Sequence, residues 1–137
     1  MAVAIVDASP LYAAADKDDR DHQRCIAVLA DPGFALVVPA LVVAEATYLV
    51  AKRLGARSEA AFLRGLERLD VEAPASEDWA RIGELVERYS DLRLGGTDAS
   101  LIALAERVDA RIVITLDHRH LSVVRPRHCD AFDLLPA

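Results

Sequence analysis

Ala2-Val3-Ala4-Ile5-Val6 is a short, continuous apolar run, and Asp7 closes it. A run of this kind suits a strand buried on both faces of a parallel sheet. A second run, Arg111-Ile112-Val113-Ile114-Thr115, is β-branched and reads as the strongest central strand. Leu116-Asp117 follows it. Ala35 to Val38 is a third short strand, closed by Pro39. Val71 to Ala73 and Ala131 to Leu135 are weaker candidates, the last edge-like.

Helical patterns fill the gaps. Ser9-Pro10 is a candidate helix start, with Ser9 as N-cap. A second helix runs through Ile26 and Leu29 to Asp31-Pro32-Gly33. Leu41 to Leu54 is a long apolar-faced helix that Gly55 stops. Glu59 to Leu69 is another. Ser76 caps an amphipathic stretch with Trp79, Ile82, Val86 and Tyr89 at helical spacing. Thr97 caps a helix from Asp98 to Val108. Strands alternating with helices predict one α/β domain over residues 1–137, a parallel sheet covered on both faces.

Four acids stand out in that frame: Asp7, Glu45, Asp98 and Asp117. Asp7 and Asp117 follow strands, and ligands of open parallel sheets collect beyond the carboxyl ends of the strands. Asp98 opens a helix, where the dipole favours a negative charge. Glu45 interrupts Leu41-Val42-Val43-Ala44 and Ala46 on a face expected to be buried. Burying one unpaired acid costs several kcal/mol or forces protonation. Four that converge make sense around a divalent cation, and an all-oxygen ligand set suits Mg²⁺ or Mn²⁺. Such an ion would activate a water, hold a scissile phosphate and neutralise the leaving oxygen.

Taken singly, each acid has a plainer reading. Asp98 is an ordinary first-turn acid, and Asp7 and Asp117 are ordinary strand-end turn residues. Ser9 and Thr97 serve as caps or bond the ligands, and Thr115 shares a strand face with Asp117. His118-Arg119-His120 is either a basic rim that meets phosphates or a solvated loop. Trp79, Tyr89 and Phe62 read as core or a dimer face, and with 5% aromatics base stacking is not the expected binding mode.

Composition sets the outer bounds. The chain has 137 residues, 53% hydrophobic and 28% charged, enough for a real core. A net charge of -6 opposes non-specific nucleic-acid binding. The basic residues are clustered, however. Lys52, Arg53, Arg57, Arg64 and Arg68 form one group, and Arg111, Arg119, Arg125 and Arg127 another. Cys25 and Cys129 lie far apart without metal-ligand spacing and read as reduced thiols. With neither a signal-peptide pattern nor a spanning apolar stretch, a cytoplasmic protein is expected.

At these residues the chain resembles the PIN-domain ribonucleases, especially the VapC-type toxins of bacterial toxin–antitoxin pairs. The carriers are Ile5-Val6-Asp7-Ala8-Ser9, Pro39 through Glu45, Thr97 through Ala105, and Ile114-Thr115-Leu116-Asp117. The resemblance implies a PIN-like α/β/α sandwich with about five short parallel strands. It implies a Mg²⁺- or Mn²⁺-dependent endoribonuclease leaving 5′-phosphate and 3′-hydroxyl ends. It also implies a homodimer and a VapB-type antitoxin whose C-terminal segment lies across the active-site groove. Asp7, Glu45, Asp98 and Asp117 match the family's acids one for one; the expected site has the first three holding one ion, with Asp117 completing it directly or through water. Ser9 and Thr115 match positions where the family often has Ser or Thr, Thr97 is a further candidate hydroxyl whose role is open, and Arg53, Arg119 and His118 are candidate RNA contacts. Gly96-Thr97 before Asp98 departs from many relatives.

Two other classes compete. A phospho-acceptor receiver domain wants adjacent acids after its first strand and a late Lys. Val6-Asp7-Ala8 has one acid, and the C-terminal half has no Lys. A catalytically silent PIN-fold binding partner would keep the fold without needing all four acids.

Overall fold

The computed structural model describes residues 1–137. β1 (Ala2–Val6) is the middle of a five-stranded, all-parallel sheet. β2 (Phe34–Pro39) and β3 (Asp70–Glu72) lie on one side of it, and β4 (Ile112–Ile114) and β5 (Asp133–Leu135) on the other. Ile5 pairs with Val37 in one direction and Val113 in the other. Ile5, Val6, Val38, Val113 and Ile114 are fully or almost fully buried, as continuous apolar strands must be between helical layers. The chain leaves β1 toward β2 and later returns on the other side to β4. The β1–β4 seam is therefore the switch point where such sheets open a crevice.

α1 (Ala8–Ala15), α2 (His22–Leu29), α3 (Ala40–Leu54) and α4 (Ala56–Gly65) pack on one another, and α5 (Asp78–Arg88) packs on α6 (Gly96–Val108). Right-handed crossovers place helices on both faces of the sheet. Gly55 ends α3 at φ 88°, a conformation that favours glycine. The short α7 (His118–Leu121) forms where the sequence read as a loop. No helix is long and apolar enough to cross a membrane. Cys25 is buried, and both cysteines are free thiols.

Several helix starts differ from those predicted. Asp7, not Ser9, caps α1: its carboxylate accepts from Ala8 N at 2.8 Å. The Ser9 hydroxyl is turned elsewhere, accepting from Leu116 N at 3.0 Å. α6 starts one residue before Thr97, with Gly95 at the cap position. α5 starts at Asp78, not after Ser76, because the Asp78 carboxylate closes the turn by accepting from Ala75 N. Glu59 to Leu69 divides into α4 and a 3-10 turn, Leu66–Arg68. Trp79 is 53% exposed and is not core.

A buried ionic network joins α5 to α6. Arg81 donates from Nε and Nη2 to Glu106 at 2.9 and 2.8 Å, with side chains only 8% and 10% exposed. Arg81 Nη1 also reaches Glu84 at 2.8 Å, and Arg127 N donates to Glu106. Glu106→Ala strips a buried guanidinium of its bidentate partner and is expected to destabilise the fold by about 3 kcal/mol. Urea denaturation checks this. Combining Glu106→Leu with Arg81→Met should restore much of the loss, because neither charge is then buried alone.

Candidate active site

β1 and β4 end side by side, and their pairing continues past the strands: Asp7 N donates to Ile114 O at 2.9 Å. That bond fixes Asp7 against Thr115. Thr115 is fully buried, and its hydroxyl donates to Asp7 Oδ2 at 2.8 Å. The Thr115 hydroxyl oxygen in turn accepts from Asp117 N at 3.0 Å. One threonine hydroxyl thus ties together two strand-end acids that are far apart in sequence. Ser9 completes the lock from α1 by holding Leu116 N.

Asp7, Glu45, Asp98 and Asp117 line one groove of about 230 Å³ together with Ala8, Ser9 and Leu49. No basic side chain lines it. Glu45 reaches it from the second turn of α3. Its position differs from expectation: α3 buries Val42, Ala46 and Val50, and Glu45 stands one residue off that stripe, exposed on the groove wall. Asp98 comes from the first turn of α6. The Thr97 hydroxyl bonds none of the acids and does not line the groove, so the structure gives it no part there.

The electrostatics follow from crowding without a counter-charge. Asp7 is 5% exposed, and burial holds its carboxyl above the ordinary carboxylate range despite hydrogen bonds from Ala8 and Thr115. Asp117 adds to the rise. Glu45 is also raised, by partial desolvation and then by Asp7. Asp98 is pushed up to about 6, first by burial and then by Asp7, Glu45 and Asp117. The helix dipole favours a charged Asp98 by only about 0.3–1 kcal/mol. A displacement from 3.8 to about 6 corresponds to roughly 3 kcal/mol, so burial and repulsion win.

His120 is the one basic group that counters Asp98. It was missed as a site residue. Its Nδ1 meets Asp117 Oδ2 at 2.8 Å and its backbone N donates to Oδ1 at 3.2 Å. Its position three residues beyond Asp117, on the turn that Asp117 caps, was the available signal. His118 is committed inward, with Nε2 donating to the Thr115 carbonyl at 3.1 Å. Arg119 is exposed at the rim. Arg53 is exposed, and its guanidinium lies 5.0 Å from the centre of the Tyr12 ring, whose hydroxyl donates to Asp16.

The donor set is all oxygen, with His120 the only basic group set against four acids, which fits a hard divalent cation. No three of the acids close on a single point as a finished cage. They stand around the groove.

The PIN-domain model matches residues 4–125. The chain belongs to the PIN-domain family, in its VapC-type ribonuclease branch. It is 41% identical over 140 residues to Ribonuclease VapC26 of Mycobacterium tuberculosis, covering 96% of this chain and 99% of that protein. Two solved structures share the fold. One is the sarcin–ricin loop cleaving toxin VapC20 of Mycobacterium tuberculosis, at TM-score 0.72 and 19% identity, covering 80% of this chain and 86% of that one. The other is VapBC2 of Rickettsia felis bound to a DNA fragment from its promoter, at TM-score 0.70 and 17% identity, covering 96% and 98%. The predicted five-stranded parallel PIN fold is the observed one, and PIN-domain nucleases are metal-dependent.

The acid cluster has a cost that pH reveals. A carboxyl whose folded pKa is raised to about 6 from 3.8 binds its proton more tightly when folded. The contribution of this group to stability is then fully present below about 4 and is lost as pH rises through 6. Asp98→Asn removes that charge. It is expected to raise the melting temperature in chelator by several degrees at pH 7 and leave it unchanged at pH 4. Equal melting temperatures at both pH values would show that the repulsion is not felt.

Proposed function

We propose that this chain is a Mg²⁺- or Mn²⁺-dependent endoribonuclease, acting in the cytoplasm as the toxin of a VapBC-type pair, with residues 1–137 as one nuclease domain. The observation that carries this reading is the shared groove. Four acids reach it from the ends of two adjacent strands and from two helices, with no basic side chain among them. Asp7, Glu45 and Asp98 would hold the cation. When bound, it supplies an activated water and charge neutralisation for an RNA phosphodiester.

The chain's own residues supply orientation. Thr115 and the Ala8 amide fix both oxygens of Asp7, leaving its remaining lone pairs toward the groove. Asp117 acts from the rim, with both oxygens already accepting from His120. Arg119 stands outside the acids, where it would meet phosphates and steer RNA in despite the net charge of -6.

The antitoxin is proposed to lie along α1. Ala8 and Ser9 belong to the acid groove, while Leu11, Ala14 and Ala15 line an apolar groove of about 400 Å³ with Phe62, Leu66 and Leu69. One helix therefore leads from an apolar seat to the acids, a path for an inhibiting segment. A homodimer belongs to the same proposal, with exposed Trp79 as an apolar anchor.

Purified protein incubated with total bacterial RNA tests the activity. Discrete fragments are expected with Mg²⁺ or Mn²⁺ and none with chelator. Asp7→Asn and Asp98→Asn should each lower the rate by at least about a hundredfold with the fold intact. No cleavage by folded, antitoxin-free protein under either metal sinks the proposal and favours a silent binding partner.

Thr115→Val tests the orienting hydroxyl. It should weaken Mn²⁺ binding, read by electron paramagnetic resonance, by about 10- to 100-fold, while Thr115→Ser retains it. Arg119→Ala should weaken RNA binding and flatten its salt dependence without changing Mn²⁺ affinity.

A further inference from the structure

Glu45, Tyr48, Leu49 and Lys52 fall at i, i+3, i+4 and i+7 on α3. That spacing brings side chains to one helix face. Glu45 and Leu49 line the acid groove, so the stripe runs out of the groove along the helix. Its other two members are exposed, Tyr48 by 62%. Tyr48 has no part in the core, because α3 packs inward through Val42, Ala46 and Val50.

Lys52 Nζ lies over the Tyr48 ring, 5.7 Å from its centre. No ion pair of the structure includes Lys52. Arg53, one residue on, is likewise in no ion pair and lies over the Tyr12 ring. Of the two cations, only Lys52 falls on the stripe that leads out of the acid groove. An exposed cation–π contact is weak and readily exchanged for a phosphate.

We propose that Tyr48 and Lys52 form the seat for the nucleotide flanking the scissile phosphate. A base stacks on the Tyr48 ring, and Lys52 meets the adjoining phosphate. The inference rests on the ribonuclease reading and names where that site gains affinity for a single strand. The need is physical. A groove of four acids repels a polyanion, and a bound cation offsets that repulsion only locally. Attraction has to come from beside the groove. Tyr48 lies about 4.5 Å along the helix axis from Glu45, and Lys52 about 10.5 Å, at 1.5 Å per residue. Both are within a nucleotide or two of the acids. Stacking tolerates any base, so this seat adds affinity and leaves target choice to other surfaces.

The test uses a fluorescein-labelled, single-stranded, mixed-sequence oligoribonucleotide. Its binding is read by anisotropy in the cleavage-inactive Asp98→Asn background. Tyr48→Ala is expected to weaken binding about tenfold, and Tyr48→Phe to restore it, since the ring and not the hydroxyl stacks. Lys52→Gln should lower the slope of log affinity against log salt by about 0.7, one single-strand phosphate contact. In cleavage-competent protein, Tyr48→Ala should raise KM and spare kcat. Unchanged affinity and KM in Tyr48→Ala, with RNA still cleaved by the parent protein, overturns this inference alone and assigns Tyr48 to a protein contact. Absence of cleavage by the parent protein overturns the ribonuclease reading beneath it.

Discussion

The Thr115 hydroxyl is the point on which the site depends. It donates to Asp7 Oδ2 and accepts from Asp117 N, joining acids that 109 intervening residues separate. A buried hydroxyl that satisfies both its donor and one acceptor position at once is worth more than either bond alone, because Thr115 has no water to fall back on. The β1–β4 pairing places it there, and that pairing in turn requires two short strands apolar enough to be covered on both faces. The fold and the site are thus one constraint: the parallel seam that buries Ile5 and Val113 also delivers Asp7 and Asp117 to the same edge.

Charge is arranged in opposition around that edge. The groove concentrates negative charge, while Lys52, Arg57, Arg64 and Arg119 are exposed outside it. A site built for a polyanionic substrate and a cation needs both. In the proposed reading the acids would hold a cation, whose charge would add to the attraction of the outer basic residues. Cation binding, folding and substrate affinity would then be coupled through the same four carboxylates.

The architecture was legible because long-range order follows from local pattern here. Apolar runs ending in acids identified β1 and β4, and Gly55 marked the end of α3. All four acids were found from their unusual neighbours. What the sequence concealed was side-chain competition. Ser9 and Thr97 are good caps by type, but an acid two positions earlier took the first role and helix geometry denied the second. Arg53 and Lys52 are adjacent and alike in charge. Only the fold shows that the arginine lies over Tyr12 while the lysine lies over Tyr48, on the stripe that leads to the groove. Tyr48 falls within the helix read over Leu41 to Leu54, and only the fold shows that the core stripe of α3 passes it by. His120 was hidden because its role exists only once Asp117 has nucleated a turn.

The buried ion network on the far side bears on the site through α6. Asp98 stands in the first turn of that helix and Glu106 in its last turns. A helix is stiff along its axis, so fixing one end fixes the rotation and height of the other. Bidentate pairing of Arg81 with Glu106 is directional where apolar packing is not, and it allows α6 little freedom to roll or slide on α5. The small residues of α6 that face the core, Ala99, Ala103 and Ala105, pack closely but resist sliding poorly. A costly buried ion pair is understandable in that setting. It contributes position more than stability, and the position it sets is that of the carboxylate most strongly opposed by its neighbours.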